Sequence, residues 1–209
     1  KGLLQEFHEG IIALSGCPAG EFIRSLKNGD FKEGEEIAKK YLEIFGEGNY
    51  FLELQSHEYP KLLTNQDLDP KVRQDLEHMR EVEEISFKAV SDLSKKINIP
   101  CVATNDYHYI NVNDAQAQDA LLCVQTGSFV KEFDRLRMID IPNLYLRPPD
   151  EMADLFKSMP EAIENTLKIA ENCNVELSLG KPIFPIFDIP QGLSNIEYLR
   201  KISLEKFDQ

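Results

Sequence analysis

The sequence predicts an α/β domain with parallel strands, and three observations carry that prediction. Three short apolar runs, at 10–18, 49–57 and 98–109, each open into polar loop residues. Stretches of helical periodicity separate them, and strand, helix, strand, helix is the order of parallel βα units. The third observation is the proline-rich stretch 181–192, with Pro182, Pro185 and Pro190, which suits an extended linker or edge segment and not a central strand.

Taken in order, the first ten residues lead directly into the strand GIIALSGCP, Gly10–Pro18. Phe22, Ile23 and Leu26 then give a short helical face closed by Asn28-Gly29. Ile37, Ala38, Tyr41, Leu42 and Phe45 give a second face at 3.6 spacing. NYFLELQSH, Asn49–His57, alternates as a strand does. A long charged helix follows from Asp69 to Lys96, with Pro70 at its start, where a missing N–H costs nothing. NIPCVATNDYHY, Asn98–Tyr109, is the third strand. Asn113–Gln125 is helical, with Ala117, Ala120, Leu121 and Val124 expected on the packed face. Residues 128–147 are irregular, with short strands expected at Arg137–Ile139 and Leu144–Leu146. Helices are expected at Pro149–Phe156, Pro160–Cys173 and Asn195–Phe207, the second packing through Ala162, Ile163, Leu167, Ile169 and Ala170. Three strands are too few to close a barrel. The expected architecture is therefore an incomplete barrel or an open sheet, followed by helices and the extended segment.

Composition narrows the function classes. The 209 residues carry 23 Lys+Arg against 36 Asp+Glu, a net charge of −13. That acidity argues against a domain whose main task is gripping a nucleic-acid backbone, while leaving room for a pocket that handles one phosphate at a time. No apolar run is long enough to span a membrane. The four cysteines are scattered without a CxxC, as in a reduced, cytoplasmic protein. A first residue that is Lys, with a last helix lacking a stop signal, reads as a piece of something longer.

In barrels of alternating strands and helices, chemistry gathers where the strands run out into loops. There the first strand offers Cys17, the second His57 beside Gln55 and Ser56, and the third Asp106 and His108. A thiol, imidazoles and a carboxylate are metal-ligand types. Asp106 and His108 are two apart, so in extended backbone they point the same way. Thr104 and Asn105 stand ready to orient them. The bland alternatives are packing for Cys17, an ordinary hydrogen-bonded histidine for His57, and turn chemistry for Asp106. Spacing alone leaves the two readings evenly balanced. His8 and His78 are expected in solvent, Cys101, Cys123 and Cys173 in the core, and Glu53 facing outward. Arg135 and Arg137 are expected as solvated cations, with phosphate contact the alternative. No phosphate-cradling glycine loop, dinucleotide fingerprint or nucleophile elbow is present.

EGIIALSGCPAGE, YFLELQSHEYP, IPCVATNDYHYI, DAQAQDALLCVQTG and MPEAIENTLKIAENCNVEL, in this order, resemble the family of bacterial DNA polymerase III alpha subunits. The resemblance covers nearly the whole chain. It implies that 1–150 is the C-terminal half of a PHP (polymerase and histidinol phosphatase) domain, a distorted β/α barrel, with an insertion at about 63–84 read as a surface helix. It implies that 151–209 is a helical connection leading into the polymerase palm. Carried over residue by residue, Cys17, Asp106 and His108 match the last three ligand positions of the family's divalent metal cluster, with zinc expected and manganese an alternative. Magnesium belongs to a polymerase site outside this segment. His57 matches a histidine outside the ligand series and is the candidate catalytic group, as proton donor or phosphate contact. The implied function is a DNA-directed DNA polymerase whose PHP domain removes 3′-terminal nucleotides. Implied partners are DNA, the sliding clamp, the clamp loader and a separate proofreading subunit, in the cytoplasm, with no membrane. Alternatives are an inert PHP scaffold that docks other subunits, and a free-standing PHP phosphatase of small phosphate esters.

Overall fold

The computed structural model describes residues 1–207. It contains two compact units, Lys1–Cys173 and a second that begins at Asn174.

The first unit is built on a three-stranded, wholly parallel, open sheet in the order β1–β2–β3, with β1 at Ala13–Leu14, β2 at Tyr50–Gln55 and β3 at Cys101–Thr104. The α/β prediction holds, and the three strands leave the sheet open, as expected of an incomplete barrel. Ala13 lies opposite Tyr50, and Leu52 opposite Cys101. The helices are α1 (Gly2–Glu6), α2 (Glu21–Lys27), α3 (Phe31–Phe45), α4 (Tyr59–Leu62), α5 (Pro70–Ile97), α6 (Ala115–Thr126), α7 (Pro149–Leu155) and α8 (Pro160–Asn172).

Strand alternation sorts the sheet. Tyr50, Leu52, Leu54, Cys101 and Ala103 enter one core with Phe22, Ile23 and Leu26 of α2, Ala38 and Phe45 of α3, Val90 and Leu93 of α5, and Phe156, Met159 and Ala162. Helices therefore cover that face. The alternate residues Phe51, Glu53, Gln55, Val102 and Thr104 turn to the other.

Local chemistry explains the helix ends. Asp30 caps α3 by accepting from the Glu33 amide at 2.9 Å, and Asp69 caps α5 by accepting from the Lys71 amide at 2.8 Å. Asn98 closes α5 in the left-handed region at φ 55°, a conformation that asparagine tolerates.

Several expectations need correction. Residues 2–6 form a helix, where a direct lead into the strand was expected. Arg137–Ile139 forms no strand, and Leu144–Leu146 contributes only an isolated parallel bridge between Tyr109 and Tyr145. The expected packed face of α6 is outermost: Leu121 is 63% and Val124 81% exposed, while Ala115, Asp119, Leu122 and Cys123 are buried. The cause is Asp119, which takes Arg135 bidentately at 2.6 and 2.8 Å and turns its own side of the helix inward. Arg135 is thus a buried, paired cation rather than a solvated one, and Arg137 is paired with Asp140. Cys173 is exposed because it follows the last turn of α8, where the chain leaves the core. Leu167 is exposed, and Asn165 takes a buried place on α8 instead.

The segment 63–84 is no mere surface helix. From Pro70 onward it is α5, which buries Val72, Leu76 and Val82, the first two in a small core with Tyr59. The compact unit also continues past residue 150 to Cys173, because α8 packs on β3.

In the second unit, α9 spans Asn195–Phe207. Residues 181–192 are without strand pairing, as the prolines predict. Ser194 and Glu197 close a reciprocal cap at its start, Glu197 accepting from the Ser194 amide and hydroxyl at 2.8 and 2.7 Å. Among the described residues, no helix is long and apolar enough to cross a membrane.

Candidate metal and phosphoester site

All three parallel strands run out at one rim of the sheet, and each predicted site residue lies on it. The loop after β1 carries Cys17, the end of β2 carries His57, and the loop after β3 carries Asp106 and His108. The first turn is tight. Gly16 adopts φ +84°, and a Cβ on Gly20 would meet the carbonyl oxygens of Cys17 at 3.1 Å and Ser15 at 3.3 Å, so the chain bends closely around an exposed thiol.

The Asp106–His108 pair is held firmly. The His108 amide donates to Leu144 O at 2.8 Å, the Leu146 amide to Tyr109 O at 3.0 Å, and Asn105 Nδ2 to Tyr145 O at 2.6 Å. His108 Nδ1 lies 2.9 Å from the Asp106 carbonyl oxygen. A carbonyl only accepts, so Nδ1 carries the proton and the neutral ring keeps its lone pair on Nε2. The Asp106 carboxylate is exposed, its Oδ1 3.9 Å from His108 Nδ1.

Beneath the rim, Glu53 ties the three strands together. Its amide donates to Ser15 Oγ at 2.8 Å, and its Oε1 accepts from Gln55 Nε2 at 3.0 Å and Thr104 Oγ1 at 2.5 Å. It is half-buried, contrary to its expected outward orientation, because Thr104 and Gln55 share its face of the sheet. At the middle of the rim, burial holds the Tyr59 hydroxyl well above its ordinary range, and the charges of Glu83 and Asp106 push the same way. Burial raises the Glu58 carboxyl, but the hydrogen bond and charge of Arg147, with Lys61, outweigh it and leave the net shift downward.

The structure brings Asp106 and His108 together. Cys17 shares their rim but follows the opposite outer strand, with β2 between, and two strand spacings amount to roughly 10 Å. Among the described residues, no three His, Cys, Asp or Glu side chains are grouped closely enough to hold an ion. The donor chemistry nevertheless suits one: an exposed thiol, a free carboxylate, and an imidazole whose Nδ1 is fixed by a carbonyl so that Nε2 can ligate. Sequence reasoning missed Glu83, Asn143 and Arg147, which surround His57 and Glu58 from distant segments. His8 and His78 are exposed, as expected, and Cys101 and Cys123 are buried, as expected.

Residues 1–57, which carry β1, the Cys17 loop, β2 and His57, match the PHP domain family. The relatives are narrower. The chain is 35% identical over 201 residues to the DNA polymerase III subunit alpha of Treponema pallidum, covering 96% of this chain and 15% of that protein. It is 33% identical over 206 residues to that of Pseudomonas aeruginosa, covering 99% and 16%. It is 34% identical over 201 residues to that of Mycobacterium leprae, covering 95% and 15%. The resemblance read from the sequence is borne out: the chain is homologous to a segment of the DNA polymerase III alpha subunits and spans about a sixth of their length.

Proposed function

We propose that this chain is a segment of a cytoplasmic replicative DNA polymerase and contributes to a metal-dependent PHP phosphoesterase that trims 3′-terminal nucleotides. The observation that carries the reading is the fixed Asp106–His108 pair at the same strand rim as Cys17. In this reading residues 1–150 belong to the PHP portion and 151–209 lead toward the palm.

In the full-length protein, Cys17 as thiolate on one side of the rim and Asp106 with His108 Nε2 on the other would each hold part of a divalent metal cluster, zinc or manganese, completed by ligands outside this segment. When bound, such ions would supply a water of lowered pKa and charge stabilisation for phosphoester hydrolysis. Asn105 and the 144–146 segment orient the two donors of the third loop. His57, half a rim away, serves as proton donor or phosphate contact. DNA, a clamp, a clamp loader and a proofreading subunit are partners of the whole polymerase, whose magnesium site belongs elsewhere. The 209-residue chain alone is expected to have neither polymerase nor strong nuclease activity, because its donors are not grouped.

In the full-length protein, Asp106→Asn or His108→Ala should lower bound metal and 3′–5′ hydrolysis while largely sparing polymerisation. Metal content by elemental analysis checks this, and an unchanged content defeats the ligand assignment. One observation favours a second reading, a docking scaffold: α6 presents Ala117, Ala120, Leu121 and Val124 outward as a continuous apolar stripe. Alignment of the chain to polymerase subunits over nearly its full length weighs against a free-standing phosphatase.

A further inference from the structure

His57 ends the central strand of the rim, only 7% exposed. Its backbone amide and its Nδ1 both meet Oε2 of Glu83, each at 2.8 Å. A carboxylate oxygen only accepts, so Nδ1 carries a proton whether the ring is charged or neutral. The His57 carbonyl accepts from Asn143 Nδ2 at 2.8 Å, and the ring stacks on Tyr59 with centroids 5.3 Å apart. Every polar atom of the residue is thereby tied except Nε2, which has no hydrogen-bond partner among the described residues.

A small, partly polar cavity lies beside the dyad. His57 and Glu83 line a cavity of about 30 Å³ together with Glu53, Gln55 and Gly16 and Pro18, the two neighbours of Cys17. Gln55 Oε1 is a buried acceptor without a partner among the described residues. Glu83 reaches His57 from the flank of α5 next to the buried Val82 and Ser86, while Glu81 and Glu84 face solvent.

We propose that Glu83 is a positioning residue that fixes His57 in its Nδ1–H form, so that Nε2 alone meets the phosphate ester. The dyad deepens the phosphoesterase reading above and rests on it. With the ring protonated, Nε2 gives its proton to the leaving oxygen as the P–O bond to that oxygen breaks. A water oxygen forms the new bond to phosphorus, its proton passes to solvent, and the imidazole is left neutral with the proton on Nδ1. Helix α5 is then part of the reactive rim.

Two measurements decide the matter. Nitrogen-15 NMR of the His57 ring in the 209-residue chain should show Nδ1–H in the parent and in Glu83→Gln, whose side-chain oxygen still accepts. Glu83→Ala should redistribute the proton toward Nε2, with the amide spectrum reporting an intact fold. An Nε2–H parent, or an unchanged tautomer in Glu83→Ala, overturns the positioning role. In the full-length polymerase, Glu83→Ala should lower kcat for hydrolysis of an unpaired 3′ end by about 10- to 100-fold with KM within about twofold, and Glu83→Gln should recover most of it. If Asp106→Asn abolishes hydrolysis and Glu83→Ala leaves kcat unchanged, the dyad falls alone. If Asp106→Asn changes nothing, the phosphoesterase reading falls, and the NMR result still decides whether Glu83 orients His57.

Discussion

Removing the amide of Asn165 tests how the outer strand is held. In the β2–β3 ladder the Leu52 amide takes the Pro100 carbonyl, so the next carbonyl, that of Cys101, points away from β2. On that side no strand lies among the described residues, and Asn165 Nδ2 of α8 donates to it at 2.7 Å. Asn165 is 6% exposed, so water cannot easily replace the donor. Asn165→Ala deletes the bond and strands a buried carbonyl, a loss of about 1–3 kcal/mol. A central value of about 2 kcal/mol corresponds to a Tm lower by roughly 4–8 °C for a body of this size. Asn165→Leu restores volume without a donor and should lose nearly as much. Urea unfolding followed by circular dichroism measures both. If Asn165→Leu lies within about 0.5 kcal/mol of the parent, space-filling holds α8 to β3 and the hydrogen bond does not.

Phe156 is 0% exposed and stacks on Phe87 of α5 at 6.2 Å, so Phe156→Ala should destabilise by about 3–5 kcal/mol in the same urea assay. Acidification should weaken the fold. Lys39 and then Lys96 pull Glu35 down to about 2, Lys1 and Tyr41 pull Glu21 down, and Arg147 overcomes burial at Glu58. These carboxylates have folded pKa values below the unfolded value, so their contribution is present above about pH 4.3 and is lost as pH falls through the folded values. A pH series of melting temperatures reads the loss. The Glu35 share should shrink in high salt, since its lysine partners are exposed. Burial holds Tyr50 and Tyr59 neutral well above the ordinary phenol range, so in a spectrophotometric alkaline titration both should ionise only as the protein unfolds.

Periodicity made most of the fold legible. Tyr50, Leu52 and Leu54 alternate, and Ile37, Ala38, Tyr41, Leu42 and Phe45 repeat as a helix does; both patterns enter the core as written. Rim placement was legible too, because a strand that dissolves into polar residues marks its own end. The failures share one cause, contacts between residues distant in sequence. Asp119 looks like a solvent residue until Arg135 supplies two hydrogen bonds, and no periodicity rule credits a buried ion pair. The link from Glu83 to His57 spans 26 positions and leaves no local trace. Glu53 reads as a polar residue amid leucines, and only the register that sets Thr104 beside Gln55 reveals its role.

The short parallel bridge between Tyr109 and Tyr145 has a consequence out of proportion to its length. With Asn105, His108 and Tyr109 all anchored to 144–146, the third loop is rigid before any ligand arrives. Ordering a residue's backbone costs roughly 1–2 kcal/mol. If the proposed site binds an ion or ester, that penalty falls on folding, and the ligand would keep more of its contact energy as affinity. Loosening residues 144–146 would then weaken that binding from outside the site itself.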